Sequence, residues 1–312
     1  MSYHGWLLLD KPEGISSAQA VGKIKHLLDK VKTGHAGTLD PFASGLLPIA
    51  LGAATKTVPY MMMEEKTYQF SAKWGVMTDS LDMTGTIIEA QPHATQPALH
   101  EVQAMLPQFI GKSQQIPPDF SALKVNGKRA YALARQGIKP ALQPREIDIT
   151  KLQAWLDDKG EMMFECTCSK GTYIRALLRD IAFSLGMMAS CQSLRRLRIG
   201  KFDIKDAIML ETLTDLGHKE AAREGVRALV KAKLLAPADV LDGIPAFTAT
   251  AQEYYGLKQG HPLPLYKKGD FKRIAHLHQG ETMALLSQEH HLIGFGQYAQ
   301  GMIKPNKILN YS

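Results

Sequence analysis

Residues 67–74, TYQFSAKW, alternate polar and apolar side chains along their whole length. Apolar side chains occupy every second position from Tyr68 to Trp74, and polar ones occupy the positions between them. Successive side chains of a β-strand point to opposite faces, so this period of two predicts a strand with one face against a core. Such a strand must be covered by a second layer, which restricts the chain to folds that contain a sheet.

Other segments of the first 240 residues alternate between strand and helix patterns. Residues 16–30 and 174–185 carry apolar side chains at helical spacing, and Ser16 or Ser17 is suited to cap the first helix. Strand patterns occupy residues 5–10, 146–157 and 187–202, and residues 84–90 are expected to pair with the strand at 66–76 after a turn at Gly85. The regular period of a parallel α/β barrel is missing. The pattern therefore predicts the α+β class.

Two segments do not follow this alternation of strand and helix patterns. Residues 113–146 are irregular and rich in proline, with one short helix predicted at 128–137, and they indicate an excursion from the sheet. From about Pro237, a segment that resembles a linker leads into a compact, strand-rich tail. Because the tail is too small for a broad catalytic cleft, we expect a binding module at residues 241–312.

Basic residues are clustered along the chain, which has a formal net charge of +7. Residues 120–145 contain six basic side chains and no acid, residues 193–201 contain four, and residues 266–273 add a third cluster. One such run is usually a solvated face. Three acid-poor clusters favour a phosphate-rich partner, because neutralised phosphates release counterions, so a nucleic acid is the predicted ligand.

Several classes of protein are disfavoured by the same sequence. It has no run of about eighteen apolar residues, so no membrane span is predicted, and no secretory leader is expected at its start. Its three cysteines, Cys166, Cys168 and Cys191, are too few for a disulfide framework and favour a reducing cytoplasm. No second ligand pair at zinc-like spacing accompanies Cys166 and Cys168, so no metal site is predicted.

The stretch GHAGTLDPFASG, residues 34–45, contains a single carboxylate, Asp40, among three glycines. Asp is a preferred helix cap and Pro41 suits the first helical position, so Asp40 is one candidate to cap a helix. The other hypothesis is that the loop displays a reactive acid with little bulk around it. The motif alone leaves both open.

Five separated blocks together resemble one family. DKPEGISS, GHAGTLDPFASGLLPIALGAATK, KTYQF, SKGTYIR and SLRRLRIG follow one another as in the TruB family of bacterial tRNA pseudouridine(55) synthases, and the resemblance covers nearly the whole chain. It implies a pseudouridine synthase fold with a mixed, mostly antiparallel sheet and flanking helices. The implied catalytic domain is 1–240, with an RNA-clasping insertion at about 113–146, and residues 241–312 resemble a β-rich PUA RNA-binding domain.

The resemblance also implies a function. The expected reaction isomerises the uridine at position 55 in the T loop of tRNA to pseudouridine, without a metal or organic cofactor. The expected partner is the tRNA T stem-loop, bound by a monomer that requires no protein partner. The main alternative is a non-catalytic tRNA-binding protein or folding chaperone that uses the same surface. Another RNA-base enzyme is disfavoured, because the chain has neither a G-x-G-x-x-G after a strand nor a zinc ligand set.

Site residues are carried over by position. The resemblance implies that Asp40 is the nucleophile and that Arg175 pairs with it. It implies that Tyr68 stacks on the flipped base and moves the C5 proton, and that Tyr173 and Leu194 line the base pocket. The other implied residues are His35, as a wedge in the T loop, and Lys124, Lys128 and Arg129, which contact the RNA backbone. Each has an ordinary alternative, such as core packing for Tyr68 or a solvated helix start for Arg175. Lys11 is expected to be mostly structural.

Overall fold

The computed structural model describes residues 3–125, 127–216, 220–266 and 268–311. Its strands are β1 (Gly5–Lys11), β2 (Thr33–His35), β3 (Ser44–Leu51), β4 (Lys66–Trp74), β5 (Val76–Thr78), β6 (Ile87–Ala90), β7 (Gly111–Gln115), β8 (Lys124–Val125), β9 (Lys128–Arg129), β10 (Arg145–Leu156), β11 (Met162–Cys168), β12 (Ala189–Ile199), β13 (Phe202–Asp203), β14 (Ile208–Met209), β15 (Ala246–Thr248), β16 (Leu263–Pro264), β17 (Thr282–Leu286), β18 (Leu292–Ala299) and β19 (Met302–Ile308).

The helices lie between and beside these strands. They are α1 (Ser17–Leu27), α2 (Val58–Met63), α3 (Leu99–Met105), α4 (Ala130–Ala134), α5 (Ile174–Ser184), α6 (Leu210–Leu216), α7 (Glu220–Lys233), α8 (Ala251–Lys258) and α9 (Lys268–Ile274), with short 3-10 helices at Gly52–Thr57, Leu106–Phe109, Ile204–Asp206 and Pro237–Val240. None of the helices in the described part of the chain combines the length and apolar character needed to cross a membrane.

A ten-stranded sheet forms the centre of the molecule. Its order is β14-β1-β3-β12-β4-β11-β10-β7, with β2 on β3 and β13 on β12. Most pairs are antiparallel, and the β1–β14 and β3–β12 pairs are parallel. The predicted mixed, mostly antiparallel sheet is therefore confirmed. Helix α5 packs across β12 and β4, and most of its buried apolar side chains belong to the largest apolar cluster.

The strand predicted at residues 66–76 is confirmed over 66–74 as β4, but the predicted pairing with residues 84–90 holds only at Val76, which lies opposite Ala90. Residues 84–90 do not pair with β4; they contribute β6, which pairs with β5 in a separate two-stranded sheet. The reason is that both edges of β4 are already occupied, one by β11 and the other by β12. Gly75, with φ +75°, also ends β4 before β5 begins.

Helix α1 begins at the serine pair that was expected to cap it. Ser16 is the cap, and its hydroxyl accepts from the Gln19 N–H at 3.2 Å. The neighbouring Ser17 hydroxyl is buried instead, where it accepts from the Leu39 N–H at 2.8 Å and donates to the Leu39 carbonyl at 3.0 Å. The two serines thus start the helix and fasten it to the loop that carries Asp40.

Residues after 241 form a second sheet that packs on the back of the first. Its order is β15-β17-β18-β19-β16, and it is accompanied by α8 and α9, so the tail contains helices as well as the predicted strands. Phe295 of β18 stacks on Tyr60 of α2 with the ring centroids 4.5 Å apart. The two rings lie in one apolar cluster with Trp6 of β1 and Leu309.

The segment expected to be a linker is packed against the first strand. Trp6 and Leu235 exchange two backbone hydrogen bonds of 2.9 Å, which forms a bridge between β1 and residue 235. The following 3-10 helix buries Pro237 and Val240. Residues 234–250 therefore join the two sheets as a fixed connection, and not as a free tether.

Candidate active site

Asp40 lies in the loop between β2 and β3, at one end of the large sheet. The cap hypothesis for this residue is wrong, because no helix follows it: the Ala43 N–H donates to the Asp40 carbonyl at 3.1 Å in a tight turn, and β3 begins at Ser44. Pro41 occupies the second position of that turn, where its fixed φ is as suitable as at a helix start. The Asp40 carboxylate therefore caps no helix.

The carboxylate of Asp40 pairs with a buried arginine. Arg175 Nη2 lies 2.8 Å from Asp40 Oδ2, and Arg175 Nη1 lies 3.3 Å from Asp82 Oδ2. The side chains of Arg175 and Asp82 are 4% and 5% exposed, whereas that of Asp40 is 37% exposed. One guanidinium therefore joins a buried acid to an acid that substrate can reach.

Two main-chain carbonyls complete the surroundings of Arg175. Nη1 donates to the Ser80 carbonyl, and Nη2 donates to the Phe120 carbonyl at 3.0 Å. The alternative of a solvated arginine at the start of a helix is therefore wrong. The sequence indicated that Arg175 lies off the apolar stripe of α5, but not that polar groups from three other segments meet it there.

Asp82 is a site residue that the sequence analysis missed. Its Oδ1 accepts from the Ser80 hydroxyl at 2.9 Å and from the Thr84 hydroxyl and N–H at 2.6 and 3.0 Å. These bonds hold the carboxylate inside its own loop, with Oδ2 turned toward Arg175. The only signal was an Asp two residues from a Thr and a Ser, which is typical of any polar turn.

A cleft of about 270 Å³ opens above the Asp40–Arg175 pair. The structure brings to its walls Tyr68 from β4, Tyr173 from the start of α5 and Leu194 from β12, three of the residues that the resemblance named. Lys66 and Arg196 also line it, and neither had been assigned to the site. Burial lowers the pKa of Lys66 to about 8.

Arg196 is the second buried arginine of the site. Its Nε donates to the Leu46 carbonyl at 2.7 Å, and its Nη2 donates to the Gly37 carbonyl at 3.0 Å. Burial raises the pKa of the Tyr68 hydroxyl, and the nearby Arg196 guanidinium lowers it in part. A side chain at position 45 would displace this arginine, since a Cβ on Gly45 would lie 2.3 Å from the Arg196 carbonyl oxygen.

His35 stands apart from the residues that line the cleft. It ends β2, opposite Ile49 of β3, and its ring Nδ1 is buried with no hydrogen-bond partner in the described ranges. Burial lowers the pKa of His35, with a further lowering by Arg196, so the neutral ring is favoured. Its predicted role as a wedge stays a prediction.

The basic clusters differ in how exposed their side chains are and in whether acidic side chains pair with them. Lys124, Lys128 and Arg129 are exposed on the β8–β9 hairpin of the insertion. In the 193–201 cluster, Arg195 lies 2.6 Å from Asp10 and Lys201 lies 2.7 Å from Asp242, while Arg196 is buried. The expectation of a phosphate-binding surface at 193–201 is therefore weakened. Within the third cluster, Lys267 lies outside the described residues.

Two further expectations concern Lys11 and metal ions. Lys11 is fully buried, and its Nζ donates to the carbonyls of Pro12 and Ile15, each at 2.7 Å, which agrees with the structural role expected for it. Burial lowers its pKa to about 8. Over the ranges that the structure covers, no three His, Cys, Asp or Glu side chains are grouped so as to hold a metal ion.

Comparison with protein families gives two matches that adjoin one another. Residues 25–174 match the model of the "TruB family pseudouridylate synthase (N terminal domain)". Residues 175–241 match that of the "tRNA pseudouridylate synthase B C-terminal domain". The first match contains Asp40, Tyr68 and Tyr173, and the second begins at Arg175.

Similar proteins have been named in several bacteria. The tRNA pseudouridine synthase B of Nitrobacter winogradskyi is 41% identical over 310 residues, which cover 99% of this chain and 83% of that protein. The protein of the same name from Caulobacter sp. (strain K31) is 37% identical over 305 residues, which cover 97% and 95%.

Solved structures of the same fold are more distant in sequence. A chain in the "Structure of H/ACA RNP bound to a substrate RNA containing 2'-deoxyuridine" matches with a TM-score of 0.71 at 20% identity, covering 98% of this chain and 85% of that one. A chain in the "Crystal Structure of a Cbf5-Nop10-Gar1 Complex" matches with a TM-score of 0.69 at 23% identity, covering 99% and 84%. These likenesses support the fold alone.

Proposed function

This chain belongs to the TruB family of pseudouridylate synthases, and from that membership we propose its target, its catalytic groups and its mode of RNA binding. Its activity is that of a tRNA pseudouridine synthase, an isomerase. The target is the uridine at position 55 in the T loop. The observation that carries the proposal is the partly exposed Asp40 carboxylate, 2.8 Å from buried Arg175 at the floor of a cleft.

The reaction breaks the bond between uracil N1 and the ribose C1′, turns the base, and joins C5 to C1′. The proton that leaves C5 is replaced by one gained at N1, so product and substrate are isomers. This balance requires neither an oxidant nor a cofactor. The target base has to leave the stack before side chains reach it, and a base in a folded RNA loop leaves at a cost of a few kcal/mol.

Asp40 supplies the nucleophile. A carboxylate is a suitable nucleophile for a sugar carbon, as in glycosidases, and for an activated pyrimidine ring. Both routes need the same free oxygen, which the Arg175 guanidinium orients and stabilises through a charge-assisted hydrogen bond. Because Arg175 is itself buried and held by carbonyls, it offers a fixed partner and not a mobile one.

Tyr68 stacks on the flipped base and moves the C5 proton. Its ring lines the cleft. To take the C5 proton, the hydroxyl must first have given up its own, and the phenolate then becomes a phenol again; the charge of Arg196 favours that phenolate, whereas burial disfavours it. Tyr173 and Leu194 complete the walls of the base pocket. His35 enters the T loop where the base leaves, as the resemblance implies.

Binding of the RNA is divided between two parts of the chain. We assign residues 1–240 to the catalytic domain, with the clasping insertion at about 113–146, and residues 241–312 to a PUA domain, a division that follows the two separate sheets. Lys124, Lys128 and Arg129 contact the RNA backbone of the T stem-loop. In this proposal a monomer binds the stem-loop and requires no protein partner. The three free, buried cysteines suit a cytoplasmic protein.

The test is pseudouridine mapping on an unmodified tRNA transcript with the parent and with Asp40→Asn. Asn preserves the size of the side chain but cannot act as a nucleophile, so single-turnover formation should fall by about three or more orders of magnitude. Binding of tRNA should persist, because phosphate contacts elsewhere supply most of the affinity. Asp158→Asn, an exposed acid in the β10–β11 turn, is the matched control and should retain the parent rate.

Two results would contradict the proposal. Near-normal turnover in folded Asp40→Asn, verified by its melting curve, would remove Asp40 as the nucleophile. A parent protein that binds the transcript but forms no pseudouridine would favour the non-catalytic tRNA-binding or folding role.

A further inference from the structure

Gln115 is a buried polar residue outside the lining of the cleft. Its side chain makes hydrogen bonds to both the N–H and the carbonyl of Tyr173. Its Oε1 accepts from the Tyr173 N–H at 2.8 Å, and its Nε2 donates to the Tyr173 carbonyl at 3.1 Å. The residue is only 3% exposed. A buried amide that meets both backbone groups of one residue fixes that residue in position, because leaving either group unpaired is costly.

Tyr173 is the residue from which helix α5 begins. It occupies the N-cap position, where its own side chain makes no capping hydrogen bond. Its carbonyl accepts the first intrahelical bond, from the Leu177 N–H at 3.0 Å, in addition to the bond from Gln115. Arg175 follows two residues later, in the first turn. The clamp therefore fixes the point from which the arginine of the site is presented.

Gln115 also closes the base of the insertion. It is the last residue of β7 and lies opposite Arg145, the first residue of β10. The chain therefore leaves the sheet after Gln115, forms residues 116–144 of the insertion, and re-enters the sheet at Arg145. Just beyond Gln115, Arg179 Nη2 of α5 donates to the Ile116 carbonyl at 3.2 Å, and Arg175 Nη2 donates to the Phe120 carbonyl at 3.0 Å. The first turns of α5 and the base of the insertion thus form one hydrogen-bonded unit.

We propose that Gln115 is a positioning residue for the isomerisation: by clamping Tyr173 to the base of the insertion, it holds Arg175 in register with Asp40. This inference rests on the proposed function and adds a residue to it. Gln115 touches no substrate atom in this scheme and acts through Tyr173 and the helix start. The arrangement makes the geometry of the Asp40–Arg175 pair depend on a properly formed insertion base.

The test replaces Gln115 by Met, which keeps the length of the side chain and removes both hydrogen bonds. We expect the single-turnover rate constant at saturating enzyme to fall about 10- to 100-fold, the loss typical of misplaced catalytic groups. The dissociation constant for tRNA should change by less than about threefold, because phosphate contacts are untouched. Gln114→Met, at the exposed neighbouring position on β7, is the control and should match the parent in both measurements.

A second variant and a second readout keep the result decisive. Gln115→Glu retains an acceptor for the Tyr173 N–H but, as a carboxylate, loses the donor to its carbonyl, so its rate should lie between those of the parent and the Met variant. Hydrogen exchange of the Tyr173 amide should be faster in Gln115→Met than in the parent. A parent-like rate in both folded variants would overturn the inference and leave the proposed function standing. A parent without activity would overturn the function, and unchanged exchange at Tyr173 would overturn the clamp.

Discussion

The Arg175 guanidinium interacts with four acceptors. Of these, only the Asp40 carboxylate faces the cleft. The other three, Asp82 and the carbonyls of Ser80 and Phe120, hold it from behind. A guanidinium is planar and presents its N–H groups in a fixed fork, so anchoring one side determines where the other side points. The position of the guanidinium beside Asp40 is therefore set by groups that do not line the cleft.

The buried carboxylate of this set can be tested by Asp82→Asn. The change keeps the shape of the side chain but removes the charge that holds Arg175 Nη1. We expect single-turnover pseudouridine formation to slow about 10- to 100-fold through misalignment of Arg175, with tRNA binding nearly unchanged. Asp79→Asn, in the same loop but directed to the Thr86 N–H, should behave like the parent. Equal rates for the two variants would show that Asp82 does not position the arginine.

Individual residues were predictable from the sequence where a motif surrounds them. Asp40, Tyr68 and Arg175 stand in blocks whose resemblance named them, and the structure brings all three to one cleft. Asp82 and Arg196 were missed because their burial depends on contacts between segments far apart in the chain. Arg196 looked like part of a surface cluster, since nothing in SLRRLRIG shows that one of its arginines turns inward.

The β8–β9 hairpin and the segment around α4 carry exposed basic side chains and the exposed ring of Tyr131. Tyr131 has two guanidinium groups near its ring, with Cζ of Arg129 6.0 Å and Cζ of Arg135 5.6 Å from the ring centroid. In sites for single-stranded nucleic acid, an aromatic ring stacks on a base while basic side chains follow the phosphate backbone. If the insertion binds RNA as proposed, this part of it can supply both kinds of contact.

Charge reversal on this hairpin tests its contact with the RNA backbone. Lys128→Glu and Arg129→Glu together should raise the dissociation constant and reduce the slope of log affinity against log salt by about 1 to 2, roughly one phosphate for each residue. Lys159→Glu, in the exposed β10–β11 turn at another part of the sheet, is the control and should leave the slope unchanged. An unchanged slope in the double variant would mean that the hairpin makes no phosphate contact.

At the scale of elements, local patterns predicted strands and helices but not all of their partners. The period of two located β4, and helical spacing located α1 and α5. The pairing of residues 84–90 failed because a strand's pattern does not reveal that both of its edges are taken by β11 and β12. Those partners lie about 90 to 130 residues away in the chain, where local periodicity carries no information.

The ten-stranded and five-stranded sheets share one apolar cluster. Phe295 of the second sheet is almost fully buried in it, stacked on Tyr60 and in the same cluster as Trp6 of the first. The shared cluster suggests that the two parts support one another. Removing residues 241–312 would therefore expose apolar surface on the first sheet and α2, a cost that the sequence alone did not indicate.

Phe295→Ala measures that mutual support. Truncating a buried phenylalanine leaves a cavity and should lower the free energy of unfolding by about 3–5 kcal/mol. Tyr255→Ala removes a 70% exposed ring from the same sheet's flanking helix and should change it by less than about 0.5 kcal/mol. Urea denaturation followed by tryptophan fluorescence provides the comparison. Equal stabilities would mean that the cluster contributes little.

The fixed connection at residues 234–250 has a consequence for how RNA is chosen. A module on a flexible tether samples many distances and raises affinity through effective concentration. Here the bridge between Trp6 and Leu235 and the shared apolar cluster hold the second sheet at one distance from Asp40. If residues 241–312 bind RNA as proposed, the molecule selects RNA by the distance between two of its parts. It accepts an RNA whose target uridine and second contact are separated by the matching span, whatever the sequence between them.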